Sequence, residues 1–305
     1  MFVFKNEQQV INVNGILIGG NPGQHPTVLI GGLFFAGQPV VLDTKKGEFD
    51  SELASSWIST GTTMVEKTGH PLIIQVYGRT PEAMEHHIRW IIDRFDGPIM
   101  FESINLQARL RGIELCDELG LSHRIIYNSL NQSTTEDELN AISESSLKMA
   151  VVLGWSPRAT SLPEKLPTIK NAISIAEKYG IEKMLIDPGT MPVGSGFGLD
   201  YRTLIAIKSE FGLPTCSGSH NAPSAWKFLK DSYIDSESTY LSAIVASTIA
   251  AQLFTADSIM FGSMIRTKQV FTAVSLMANA IATSAAESQR ALGETTELFD
   301  PPTYE

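Results

Sequence analysis

The chain has 305 residues, a formal charge of −10 at pH 7 and two cysteines. Its ordinary mixture of apolar and charged residues belongs to a globular protein, and the acidic balance argues against nucleic acid or anionic lipid as a partner, since either calls for a basic face. Cys116 and Cys216 cannot form a multi-bridge secreted framework, and residues 1–7 lack the basic and apolar regions of a signal peptide, so a reducing cytoplasm is expected. No membrane span is expected from the greasiest run, Tyr240 to Phe254, which is short, rich in Ala, Ser and Thr, and interrupted by Gln252. It reads as a buried helix.

Residues 2–18 alternate as two strands about Asn14-Gly15, a dipeptide that accepts the positive φ angles of a tight hairpin. This N-terminal hairpin, within residues 1–20, is expected to cover the bottom of the remaining fold. Beyond Pro26, short apolar runs alternate with helical stretches, the pattern of a parallel sheet. Eight runs can be counted: Val28–Phe34, Leu72–Val76, Pro98–Phe101, Arg124–Tyr127, Ala150–Leu153, Met184–Ile186, Leu213–Cys216 and Ser258–Phe261. Helical signals fill the intervals through Trp57, after Pro81, from Ser103, from Thr134, over Leu166–Tyr179 and over Tyr201–Phe211, with Asp200 as a cap. This arithmetic predicts a single (β/α)8 TIM barrel over residues 1–305, with an open doubly wound sheet as the competitor. Two last helices, about Ser238–Ala256 and Lys268–Leu292, are weakly polar on several faces and suggest a homodimer surface.

In such a barrel the residues just past each strand converge on the open mouth. Here they are Glu102, Ser103 and Asn105 after the third run, Asn128, Ser129 and Asn131 after the fourth, and Asp187 after the sixth. Ser217, His220 and Asn221 follow the seventh run, with Ser263 and Arg266 after the eighth. Carboxylates and carboxamides without a cluster of Lys or Arg suit a fused heterocycle with an amidine edge, because one carboxylate accepts two parallel N–H bonds. Each residue also has a plainer reading. Asp187 can begin an Asx turn before Pro188 and Gly189, Glu102 can pair with Arg109 or Arg111, Asn128 and Asn131 can be turn or cap residues, and His220-Asn221 can start a helix. The His86-His87 pair reads as a solvated helix face, Gly194–Gly198 as a flexible loop over the site, and the spacing of Cys216 and His220 offers no zinc set.

Several blocks then carry a resemblance: Phe4–Val10, Ile18–Gly23, Thr27–Gly31 with Ala36-Gly37, Lys45–Asp50, Lys67–Gly69 and Thr80–Met84. With these the chain resembles the MtrH family, named for the H subunit of tetrahydromethanopterin S-methyltransferase. Within it, the chain looks most like the bacterial methylcorrinoid:tetrahydrofolate methyltransferases of glycine betaine demethylation. The resemblance implies a barrel whose mouth holds a reduced pterin, tetrahydrofolate, as methyl acceptor. Cobalamin would arrive on a separate corrinoid protein, since this chain has no Asp-x-His-x-x-Gly motif. By motif the pterin-lining positions fall on Glu102, Asn128, Asp187 and Asn221, with Ser217 beside them. Glu102 stands where the family has Asp, and the loose match at Asn221 leaves His220 as a rival. Implied chemistry is attack of N5 on methyl-Co(III): cobalt leaves as Co(I), and N5 becomes cationic and sheds a proton, helped by Asn221 or His220. A dihydropteroate synthase-like enzyme, a methanopterin carrier and a non-catalytic subunit are the alternatives.

Overall fold

The computed structural model describes residues 2–230, 236–293 and 295–303. The chain begins with the hairpin β1 (Val10–Val13) and β2 (Ile16–Gly19), paired antiparallel. Its turn residues Asn14 and Gly15 take φ of 50° and 88°, and Asn12 Oδ1 accepts the Gly15 amide at 2.8 Å. There follow β3 (Val28–Leu33), a small hairpin of β4 (Val41–Asp43) and β5 (Glu48–Phe49), and α1 (Ser51–Thr68). Next come β6 (Leu72–Tyr77), α2 (Pro81–Ile92), β7 (Ile99–Glu102), α3 (Leu106–Glu118), β8 (Ile125–Leu130) and α4 (Glu136–Glu144). The second half runs through β9 (Met149–Leu153), α5 (Leu162–Lys178), β10 (Lys183–Asp187), α6 (Leu199–Phe211), β11 (Cys216–Ser217) and the short α7 (Asn221–Ala225). It ends with α8 (Glu237–Leu253), β12 (Ser258–Ser263) and α9 (Thr267–Leu292).

The parallel sheet has the order β10-β9-β8-β7-β6-β3-β12-β11, and its two ends meet where Ile186 bridges Thr215. That closure makes it a (β/α)8 barrel, not an open sheet. The seam is narrow because Pro214 has no N–H to donate and serves only as acceptor, taking the Ile186 amide at 2.8 Å. Regular pairing therefore starts later than the run Leu213–Cys216 suggests. Asp257 secures the seam from below: it accepts Thr215 N at 2.8 Å and Lys208 Nζ at 2.6 Å.

Strand residues alternate between two cores. One layer, including Leu29, Ile74, Phe101, Tyr127, Val152 and Ile186, faces the helices; the other, including Ile30, Ile73, Met100, Ile126, Leu185 and Met260, fills the barrel. Val13 and Ile18 of the hairpin join the inner cluster. Lys183 Nζ donates to Asn12 O and Asn14 Nδ2 to Asp96 O, which fixes the hairpin across the lower end as expected.

Helix boundaries differ in places. The helix expected from Leu166 starts one turn earlier at Leu162, because Ser161 and Glu164 form a capping box. Asp200 is not the cap of α6: Gly198 is, with φ of 102°, while Asp200 is buried in the first turn and accepts the Gly198 amide at 2.9 Å. His87 is buried rather than solvated. Its Nδ1 donates to Tyr77 O at 2.8 Å and its ring stacks on Phe34 at 4.1 Å, and burial pushes its pKa down to about 4. The run Tyr240–Phe254 forms α8, of which one side, including Ile244, Thr248 and Ala251, is buried. Residues Met264–Leu292, through α9, form a helical stretch long and apolar enough to span a membrane by length and composition, but α9 lies in the helix layer against α1 and α8.

Candidate functional site

The alternation that places Ile73, Met100, Ile126 and Leu185 inside the barrel also determines what stands one step higher on the same strands. Two residues further on are Gln75, Glu102, Asn128 and Asp187, all at the carboxyl ends. The corresponding step beyond Ile30, Cys216 and Met260 reaches Gly32, Gly218 and Gly262. Polar side chains therefore crown one part of the wall, interrupted on β9 by Leu153 two residues past Val151, and residues without side chains crown the neighbouring strands β3, β12 and β11.

Glu102 organises the polar part. Its Oε2 accepts from Gln75 Nε2 and from Asn128 Nδ2, the latter at 3.1 Å; Asn128 Nδ2 also lies 3.7 Å from Met260 Sδ. These bonds leave Glu102 Oε1 and Asn128 Oδ1 to meet a ligand. Arg109 is bound to Glu138, and Arg111 to Glu85, Glu114 and Glu118, so neither cation neutralises Glu102. Burial raises the Glu102 pKa to about 7, opposed by the bonds from Gln75 and Asn128 and reinforced by Asp187.

Asp187 makes the Asx turn and remains at the site. Oδ1 accepts the Gly189 amide at 2.7 Å, while a Cβ on Gly218 would stand 3.6 Å from Oδ2 and 2.8 Å from Asn221 Nδ2. The carboxylate and the carboxamide thus lie against the same bare backbone. Burial raises the Asp187 pKa to about 6, with the Gly189 amide and Lys165 acting in the other direction. Lys165, reaching up from α5, is fully buried and donates to Pro188 O at 2.6 Å and Gly189 O at 3.2 Å, so it holds the turn in which Asp187 sits.

His220 Nδ1 bonds Met260 O at 2.8 Å. A carbonyl can only accept, so Nδ1 carries the proton and Nε2 is the basic nitrogen. Burial holds the His220 pKa below the usual value, which keeps the ring neutral. A Cβ at Gly262 would stand 3.1 Å from that ring. His220 and Asn221 do begin a helix, α7, and the side chain of Asn221 is exposed.

The structure thus gathers Glu102, Asn128, Asp187, Asn221 and His220 at one rim. Ser217 differs: it is buried one residue past inward-facing Cys216, which turns it toward the helix layer. Asn105 caps α3, and Asn131 makes a turn by accepting the Ser133 amide. Gln75 and Lys165 are additions to the predicted set. Gln75 could have been found as the one polar residue in Leu72–Val76, two positions after Ile73. Among the described residues no three His, Cys, Asp or Glu side chains gather as metal ligands would.

The family model described as tetrahydromethanopterin S-methyltransferase MtrH subunit matches residues 6–292. The H subunit of tetrahydromethanopterin S-methyltransferase from Methanothermobacter thermautotrophicus is 36% identical over 284 residues, covering 90% of this chain and 92% of the relative. Its counterpart of the same name in Methanocaldococcus jannaschii is 37% identical over 239 residues, covering 76% and 75%. Among solved structures, dihydropteroate synthase from Thermus thermophilus superposes with a TM-score of 0.60 at 13% identity, covering 88% of this chain and 98% of that one; this likeness concerns the TIM-barrel fold.

Proposed function

Since the chain belongs to the MtrH family, we propose that it transfers a methyl group between a corrinoid protein and N5 of a tetrahydropterin held at the barrel mouth. The observation that carries this reading is the bonded set Gln75–Glu102–Asn128 near Asp187 at the carboxyl ends of the strands, beside strands that end on glycine rather than on a side chain. Glu102 Oε1 and Asp187 Oδ2 accept the N–H groups of the amidine edge, and Asn128 Oδ1 takes a further ring N–H. Asn221 lies beside Asp187 and bonds N5, and neutral His220 accepts the proton that N5 sheds on methylation. No covalent intermediate with the protein is needed.

The names of the relatives favour a methanopterin-type carrier. Tetrahydrofolate, with glycine betaine as the original methyl source, is the second reading, and it rests on the resemblance to the bacterial branch alone. Cobalamin is supplied by the partner corrinoid protein. Supporting this, Leu42, Ile104, Trp155, Phe197, Phe228 and Ile265 are exposed, and all stand in connections at the carboxyl ends of strands. An apolar rim of this kind suits a protein that docks over the mouth. A homodimer through α8 and α9 belongs to the same proposal: the outward positions Thr272, Leu276, Ala280 and Thr283 along the middle of α9 carry no charge, between exposed Lys268 and Glu287. Sedimentation as a monomer at micromolar concentration would remove it.

The deciding experiment is calorimetric titration with tetrahydrofolate and with tetrahydromethanopterin, followed by spectrophotometry of Co(I) formation from a methylated corrinoid protein. Binding with turnover supports the enzyme, and the tighter carrier identifies the physiological class. Binding without turnover would make the chain a pterin-holding subunit. Condensation of an activated dihydropterin with an aromatic amine would make it a synthase instead.

A further inference from the structure

A cavity of about 500 Å3 lies between the turn after β3 and the segment after β12. It adjoins the polar cluster proposed to hold the ring, because Gln75, whose amide donates to Glu102, forms part of its lining together with His220 and Gly262. Phe35, Tyr240 and Arg266 also line it.

The Arg266 guanidinium lies 4.8 Å over the Tyr240 ring and gives one Nη2 bond, at 3.0 Å, to Glu237. Glu237 is largely exposed, so that pair is weak and its carboxylate is free to yield its place. Arg266 Nε and Ser263 Oγ are both buried and have no hydrogen-bond partner among the described residues. Two buried donors at the wall of one cavity, one of them cationic, call for an acceptor. The start of α9 immediately behind adds no acidic residue in its first turn. A polar recess on the other side of Glu102, between β7 and β8, offers no comparable cation: its Arg109 is already bound to Glu138 and to Ser103 O.

We propose that the cavity beside Arg266 is an anion subsite for the carboxylate or phosphate on the side arm of the pterin carrier, received by Arg266 Nε–H and the Ser263 hydroxyl. The assignment rests on the function proposed above, with the ring at Glu102 and Asp187 and the arm passing Gln75 toward β12.

The test uses the intact protein and three probes: tetrahydrofolate, whose arm ends in carboxylates; tetrahydromethanopterin, whose arm carries phosphate; and 6-methyltetrahydropterin, which has no arm. Arg266→Gln is expected to weaken binding of whichever armed carrier the wild type takes by about tenfold or more, the scale of a charge-assisted bond. Its affinity for 6-methyltetrahydropterin should stay within about twofold, and Ser263→Ala should show the same selectivity with a smaller loss. Thermal midpoints of both variants establish that they are folded. Equal losses with and without the arm, or no loss with either variant, overturn the subsite while leaving ring binding intact. Wild-type protein that takes up none of the three compounds overturns the function on which the subsite depends.

Discussion

Replacing Asp187 by Asn keeps an oxygen for the Gly189 amide and removes the charge, which separates the two jobs of this side chain. Burial raises the Asp187 pKa from 3.8 to about 6, so the ionised form is disfavoured in the folded protein, and above pH 6 this costs about 3 kcal/mol of stability. The sign comes from proton uptake: between 3.8 and 6 the folded state holds more protons than the unfolded one, so stability falls as pH rises through that window. Asp187→Asn removes this penalty, and at pH 8 the variant should melt a few degrees above the wild type. It also replaces a charge-assisted acceptor worth about 1.5–3 kcal/mol, which corresponds to roughly ten- to hundredfold weaker pterin binding. Differential scanning calorimetry and isothermal titration on the same preparations read the two effects. A variant that loses thermal stability in step with affinity would show that Asp187 serves the turn alone, and unchanged affinity would remove it from the binding site.

The same network sets three further outcomes. Affinity of the wild type for the reduced pterin should rise with pH as Asp187, near 6, and Glu102, near 7, lose their protons and become pure acceptors; a flat profile from pH 5.5 to pH 8.5 would refute this. Gln75→Leu removes a bond that holds the Glu102 pKa down, so the upper midpoint of that profile should move upward, and an unmoved midpoint would detach Gln75 from the site. Lys165→Met leaves two buried carbonyls without their donor and should lower stability by about 1–3 kcal/mol in urea titrations. Hydrogen exchange should quicken at Gly189 and Thr190 with it, and unchanged exchange would mean that Lys165 does not hold the turn.

Much of the barrel was legible because parallel strands buried on both faces must be apolar, and eight such runs stand out between helical stretches. Glu102, Asn128 and Asp187 were legible for a related reason: each ends an apolar run with a group that has no place in a core. Gln75 escaped because it lies inside its run, where only the inward period set by Ile73 reveals it. Lys165 resembles any surface lysine of an amphipathic helix until Pro188 and Gly189, more than twenty residues away, are seen to fold over it. His87 was misread for the same kind of reason, since Gly47, forty residues earlier, closes the β4–β5 hairpin onto α2. Ser217 shows the limit of reading strand ends as a set, because one residue of register decides which face a side chain joins.

The hairpin β1–β2 stoppers one end of the barrel with Val13 and Ile18, so traffic passes through the opposite opening. If carrier and methyl donor share that single doorway, their order is compulsory: the pterin must be seated before the donor protein settles on the rim, and its product stays enclosed until the donor withdraws. Turnover would then be paced by the coming and going of a whole protein, and a large excess of that donor should slow the enzyme by trapping product beneath it.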